Sequence, residues 1–75
     1  MTASPSAPTP PLVLAFAASD PSSGAGIQAD ILTLASLGCH PLTAITALTV
    51  QDTVGVQSVH PVSAELLEQQ ARVIL

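Results

Sequence analysis

The sequence predicts an α/β fold organised on a strand, a helix and a second, parallel strand. Three observations predict it. Leu12 to Ala18 is a wholly apolar run of strand length, the pattern of a strand covered on both faces. After a glycine-bearing segment, Ile27, Ile31, Leu34 and Ala35 recur at helical spacing. Leu42 to Val50, reading LTAITALTV, is at least half apolar on each of its alternating sides, which is again a central strand. A crossover of this length gives parallel strands and, nearly always, a right-handed unit.

Residues 1–11, MTASPSAPTPP, form a Pro/Ser/Thr tail that cannot pack, expected to be disordered, and Pro10 and Pro11 end it just before the first strand. Ser19-Asp20-Pro21 stops that strand, because the residue before a proline is pushed out of helical geometry and Asp forms turns readily. The helix is expected from about Gly26 to Leu37, with Gly38 at its C′ position and Pro41 barring continuation. Asp52 to Val59 is β-prone with one glycine and suits an extended flap. Ser63 is an N-cap, Glu65 lies in the first turn, and Leu67, Ala71 and Ile74 form the apolar stripe of a second helix. The sequence runs out on Arg72-Val73-Ile74-Leu75 with no C-cap signal, so residues 12–75 are expected to be the N-terminal part of a larger domain.

Composition points the same way. Charged residues make up 8% of the 75, where about 25% is usual, and apolar residues 48%, with Phe16 the single aromatic. So little charge suits the interior of a larger protein better than a small free-standing domain. The net charge is −4 and there is no lysine, which argues against nucleic acid and anionic membranes as partners. The tail has no basic n-region and no apolar run reaches spanning length, so a cytoplasmic protein with a reduced Cys39 is expected. Cys39, His40 and His60 show no ligand spacing and are read as structural, with no metal site.

The segment that does not read as packing material is Ser19 to Asp30, SDPSSGAGIQAD. Gly24-Ala25-Gly26 is either a turn needing permissive backbone angles or a place where a polar or anionic ligand approaches the helix N-terminus. Asp30 falls at the edge of the apolar helix face, where it either pairs on the flank or meets a ligand. Gln51 follows the second strand; both strand ends then lie on one sheet edge, outside which open α/β sheets bind ligands. Asp20 and Asp52 read as turn formers. Residues 24–29 complete a G-x-G-x-x-A pattern, but five residues separate the strand from the first glycine and the expected acid would have to be Asp52, so the dinucleotide fingerprint fits poorly. Without lysine there is no P-loop.

SDPSSGAGIQAD resembles the N-terminal signature of the hydroxymethylpyrimidine and phosphomethylpyrimidine kinases of thiamine biosynthesis, members of the ribokinase-like superfamily. The resemblance continues through LTLASLGCHPLTAITALTVQDTVGVQSVHPV. It implies a three-layer, Rossmann-like α/β fold, of which this chain holds the first βαβ unit, a flap and the start of the next helix. It implies ATP-dependent phosphorylation of 4-amino-5-hydroxymethyl-2-methylpyrimidine and then of its monophosphate, with Mg²⁺. Asp30 and Gln51 match the family's pyrimidine-pocket acid and glutamine, and Gly24, Ala25 and Gly26 its glycine turn. The nucleotide site and catalytic acid lie in the family's C-terminal part, so no catalytic residue is expected here and the 75-residue chain alone is expected to be inactive. A pyridoxal or pyridoxine kinase is the alternative, an inactive truncated fragment is a further one, and a homodimer of the full-length protein stays open. Ser23 and Ala18 stand where the family commonly has glycine.

Overall fold

A computed structural model describes residues 9–75; the tail expected over residues 1–11 therefore lies mostly outside the described residues. The elements are β1 (Leu12–Ser19), α1 (Gly26–Ser36), β2 (His40–Gln51), β3 (Val56–Pro61) and α2 (Ala64–Ile74). They form a three-stranded sheet in the order β1-β2-β3, with β1 and β2 parallel and β3 antiparallel to β2. The helix α1 lies against β1 and β2, and α2 against β2 alone.

β2 begins at His40, two residues before the expected Leu42, and takes in Pro41. A proline is tolerated there because of which way its nitrogen faces. The His40 N–H donates to the Pro11 carbonyl, 2.8 Å away, so even-numbered N–H groups at this end face β1. The missing N–H of Pro41 falls on the other side, where β3 has not yet begun, and no ladder bond is lost. The same bond gives Pro11 a place in the fold, one residue inside the expected tail.

The flap expected over Asp52–Val59 divides in two. Asp52 to Gly55 is a turn in which the Asp52 carboxylate accepts from the N–H groups of Val54 (2.8 Å) and Gly55 (3.1 Å). Val56–Pro61 is then a true strand, pairing Ala47 with Pro61 and Thr49 with Val59. Both ladders carry an irregularity. Between the pairs Ala17–Ile45 and Ser19–Leu48, two residues of β2, Thr46 and Ala47, face the single Ala18 of β1. Strict alternation along β2 fails there, and its two buried residues, Ala44 and Ala47, are three apart rather than two.

The core is thin. Among the described residues the buried apolar side chains are Ile27, Ala44 and Ala47, while Phe16 is 54% exposed and Leu37 72%. No large side chain among the described residues is fully buried, as expected of a sheet with apolar residues on both faces and few elements to cover them.

The helix α2 is capped as expected, the Ser63 hydroxyl accepting from the Leu66 N–H at 3.1 Å. Its dock onto β2 includes a polar pair of bonds. Gln70 accepts from the Ile45 N–H (2.9 Å) through Oε1 and donates to the Ile45 carbonyl (3.0 Å) through Nε2. The side-chain amide thereby stands in for a neighbouring strand on the length of β2 that β3 does not reach. Gln70→Ala removes both bonds and is expected to destabilise the fold by about 1–3 kcal/mol. Hydrogen exchange tests this: the Ile45 amide should exchange faster in the variant while exchange within α1 is unchanged.

Candidate functional site

β1 and β2 run parallel, so their carboxyl ends meet at one sheet edge, and the turn Asp20–Ala25 sits there between β1 and α1. Asp20 organises it. Its carboxylate accepts from the Ser22 hydroxyl (2.7 Å) and the Ser22 N–H (2.9 Å) through one oxygen, and from the Ala25 N–H (2.9 Å) through the other. Its carbonyl accepts from the Ser23 N–H at 2.9 Å, closing a β-turn with Pro21 in the second position, where a fixed φ is favourable. Asp20 is 4% exposed. The Ser22 hydroxyl, then the N–H groups of Ser22 and Ala25, hold its carboxyl below the usual aspartate value of 3.8, against the opposing effect of burial.

Gly26 opens α1 with φ of 66°. A side chain there would have to overlap the Ala18 carbonyl oxygen and would meet the Asp20 Cβ and N, each at 3.2 Å. Backbone this close to backbone requires glycine. Ser23 also lies in the left-handed region, φ 63°, a conformation that costs a side-chain-bearing residue about 1–2 kcal/mol. Glycine, which the resemblance leads one to expect at this position, is the residue that this backbone favours.

The N–H groups of the glycine segment are less open than expected. Ala25 donates to Asp20 and Gly24 to the Ser22 Oγ at 3.3 Å. The first N–H groups of α1 itself, on Gly26, Ile27 and Gln28, have no partner within the helix, and Ala25 supplies no side-chain cap. Gly24 and Ala25 are exposed and Gly26 is partly so.

Asp30 is half-buried on α1 and makes no hydrogen bond or ion pair among the described residues. Gln51 is half-buried at the end of β2, its Nε2 donating to the Thr49 hydroxyl. Thr49 in turn donates to the Ser19 carbonyl at 2.7 Å, which brings Gln51 into one hydrogen-bonded chain with the end of β1.

Sequence reasoning missed the residues that assemble this edge. Gln28 accepts from the Asp20 N–H (2.7 Å) and donates to the Ser19 Oγ (2.8 Å), fastening α1 to the end of β1. Ser22 and Thr49 hold the turn and the strand ends. A signal existed for Thr49, two residues before Gln51 and so on its side of the strand. His60, read as structural, is exposed and bonds the Ser58 hydroxyl at 3.1 Å, and Cys39 closes α1 through its N–H to the Leu34 carbonyl at 2.9 Å.

Comparison with known proteins bears on this edge. A family described as phosphomethylpyrimidine kinase matches residues 20–75. A hydroxymethylpyrimidine/phosphomethylpyrimidine kinase of Mycobacterium leprae (strain TN) is 44% identical over the whole chain, which covers 27% of that protein. The crystal structure of a phosphomethylpyrimidine kinase from Clostridium difficile 630 superposes with a TM-score of 0.80 at 38% identity, over 88% of this chain and 28% of that one. A Staphylococcus aureus pyridoxal kinase in complex with AMP-PCP and pyridoxal gives a TM-score of 0.77 at 34% identity, over 89% of this chain and 26% of that one. The chain thus spans about a quarter of the length of these three relatives, and its fold is the α/β fold of these ribokinase-like kinases.

The Asp20 carboxyl is held below its unfolded value, so its contribution to stability is present above pH 3.8 and disappears as pH falls through the lower, folded value. Asp20→Asn is therefore expected to be less stable than the parent at pH 7. Denaturant titrations at pH 7 and pH 3 check this, the gap between the two proteins narrowing at the lower pH.

Proposed function

Because the chain belongs to the phosphomethylpyrimidine kinase family, which it matches across residues 20–75, we propose that it is the pyrimidine-holding segment of a kinase of thiamine biosynthesis. That kinase transfers a phosphoryl group from ATP to the hydroxymethyl oxygen of 4-amino-5-hydroxymethyl-2-methylpyrimidine, and then phosphorylates the monophosphate. The observation that carries the reading is the meeting of Gln51 with the end of β1 through Thr49, at the sheet edge where α1 begins.

Each residue has a role that its chemistry suits. The Gln51 amide offers an acceptor and a donor side by side, as the amino group and adjacent ring nitrogen of an aminopyrimidine require. Asp30, half-buried and without a protein partner among the described residues, accepts from a ligand N–H or O–H. Gly24, Ala25 and Gly26 form a wall on which a planar ring can lie close to backbone, with the N–H groups that open α1 beside it.

The described residues do not fit a nucleotide with Mg²⁺. Arg72, the one basic side chain, is bonded to Glu68 at 2.7 Å in the last turn of α2. Asp20 and Asp52 are turned onto their own backbone, and no three His, Cys, Asp or Glu side chains come together among the described residues. Phosphoryl transfer is chiefly positioning and charge neutralisation, and this segment is assigned the positioning of the acceptor. Among the described residues no helix is long and apolar enough to cross a membrane.

The likeness to a pyridoxal kinase favours a second reading, in which the same edge holds a pyridine ring. Titrating the intact protein with hydroxymethylpyrimidine and with pyridoxal separates the two. For the pyrimidine, Gln51→Ala is expected to weaken binding roughly five- to 150-fold, the equivalent of about 1–3 kcal/mol for a buried hydrogen-bonding pair, with nucleotide affinity unchanged. Equal loss of both ligands would make Gln51 a support of the fold instead.

A further inference from the structure

Gln51 is joined to Thr49 in a chain whose polarity follows from counting protons. The Ser19 carbonyl can only accept, so the single proton of the Thr49 hydroxyl is committed to it at 2.7 Å. Thr49 then meets Gln51 only as an acceptor, and Gln51 must present Nε2 to it. The Gln51 Oε1 and the second Nε2 hydrogen are left for other partners. The far end of the chain is fixed in the same way. The Asp20 N–H can only donate, so Gln28 meets it with Oε1 at 2.7 Å and turns Nε2 to the Ser19 Oγ at 2.8 Å. Ser19 is therefore held at its carbonyl from β2 and at its hydroxyl from α1.

We propose that Thr49 is a positioning residue that locks the Gln51 amide in one of its two orientations, and that Gln28, Ser19 and Thr49 together tie that orientation to the glycine turn. This rests on the reading of Gln51 as a pyrimidine contact. An unlocked amide exchanges donor and acceptor by a half-turn about its last bond. Against a ligand edge with one donor beside one acceptor, the reversed amide sets like groups face to face. Locking it removes the reversed state before the ligand arrives, which raises affinity by pre-organisation rather than by a new contact.

The test compares Thr49→Val, Thr49→Ser and Gln51→Ala in the intact protein. Valine keeps the branched shape and loses the hydroxyl; serine keeps the hydroxyl. Thr49→Val is expected to weaken hydroxymethylpyrimidine binding about three- to tenfold with nucleotide affinity unchanged, and Thr49→Ser to restore it. In the ligand-free Thr49→Val protein, the side-chain amide resonances of Gln51 should move and exchange with solvent faster. Unchanged Gln51 resonances and unchanged pyrimidine affinity in Thr49→Val, alongside a loss in Gln51→Ala, would overturn the lock and leave the pocket standing. Unchanged affinity in Gln51→Ala would overturn the pocket, and the lock's role in recognition with it.

Discussion

The structure of this segment depends on one carboxylate folded back on its own chain. Asp20 is the first residue after β1, and its two oxygens gather a hydroxyl and two N–H groups from the next five residues. A buried carboxylate without such donors is costly; with them it fixes the path from strand to helix. The turn then delivers Gly26 against the Ala18 carbonyl, so the start of α1 is held close to the end of β1. Gln28, in the first turn of α1, returns to Ser19 and the Asp20 N–H and closes the loop. This small polar assembly does the orienting that a thin core of Ile27, Ala44 and Ala47 could not do alone.

The same economy appears wherever apolar contact is scarce. Gln70 joins α2 to β2 by copying a strand's hydrogen bonds, and Asp52 shapes the turn into β3 much as Asp20 shapes the turn into α1. The half-buried contacts of Gln70 help to specify one arrangement, because an alternative packing leaves the Ile45 N–H and carbonyl without these partners. Among the described residues, the one residue other than glycine with a left-handed backbone lies in the turn of the candidate site: Ser23 occupies a conformation that glycine adopts freely.

Much of the fold was legible because it rests on local pattern. The continuous apolar run of β1, the helical spacing of Ile27, Ile31 and Leu34, Gly38 past the end of α1 and Ser63 before α2 each carry their reason within a few residues. The misplaced boundaries depend on long-range pairing. His40 and Pro41 join β2 because β1 lies on one side of them and no strand on the other, and Val56–Pro61 becomes a strand because β2 extends far enough to receive it. At the candidate site, Gly24, Gly26, Asp30 and Gln51 stood out as residue types at suggestive positions. Gln28 and Thr49 did not, since a glutamine early in a helix and a threonine in a strand are ordinary until their partners are known.

The functional account comes down to whether the glycine turn, Asp30 and Gln51 act as one ligand face. Residue-resolved chemical-shift mapping of the intact protein during titration with hydroxymethylpyrimidine asks this most directly. The account predicts shifts concentrated at the amides of Gly24, Ala25 and Gly26, at Asp30 and at the Gln51 side chain, saturating together with one affinity. Shifts confined to β3 or α2, or separate saturation of Gln51 and the glycine turn, would contradict it.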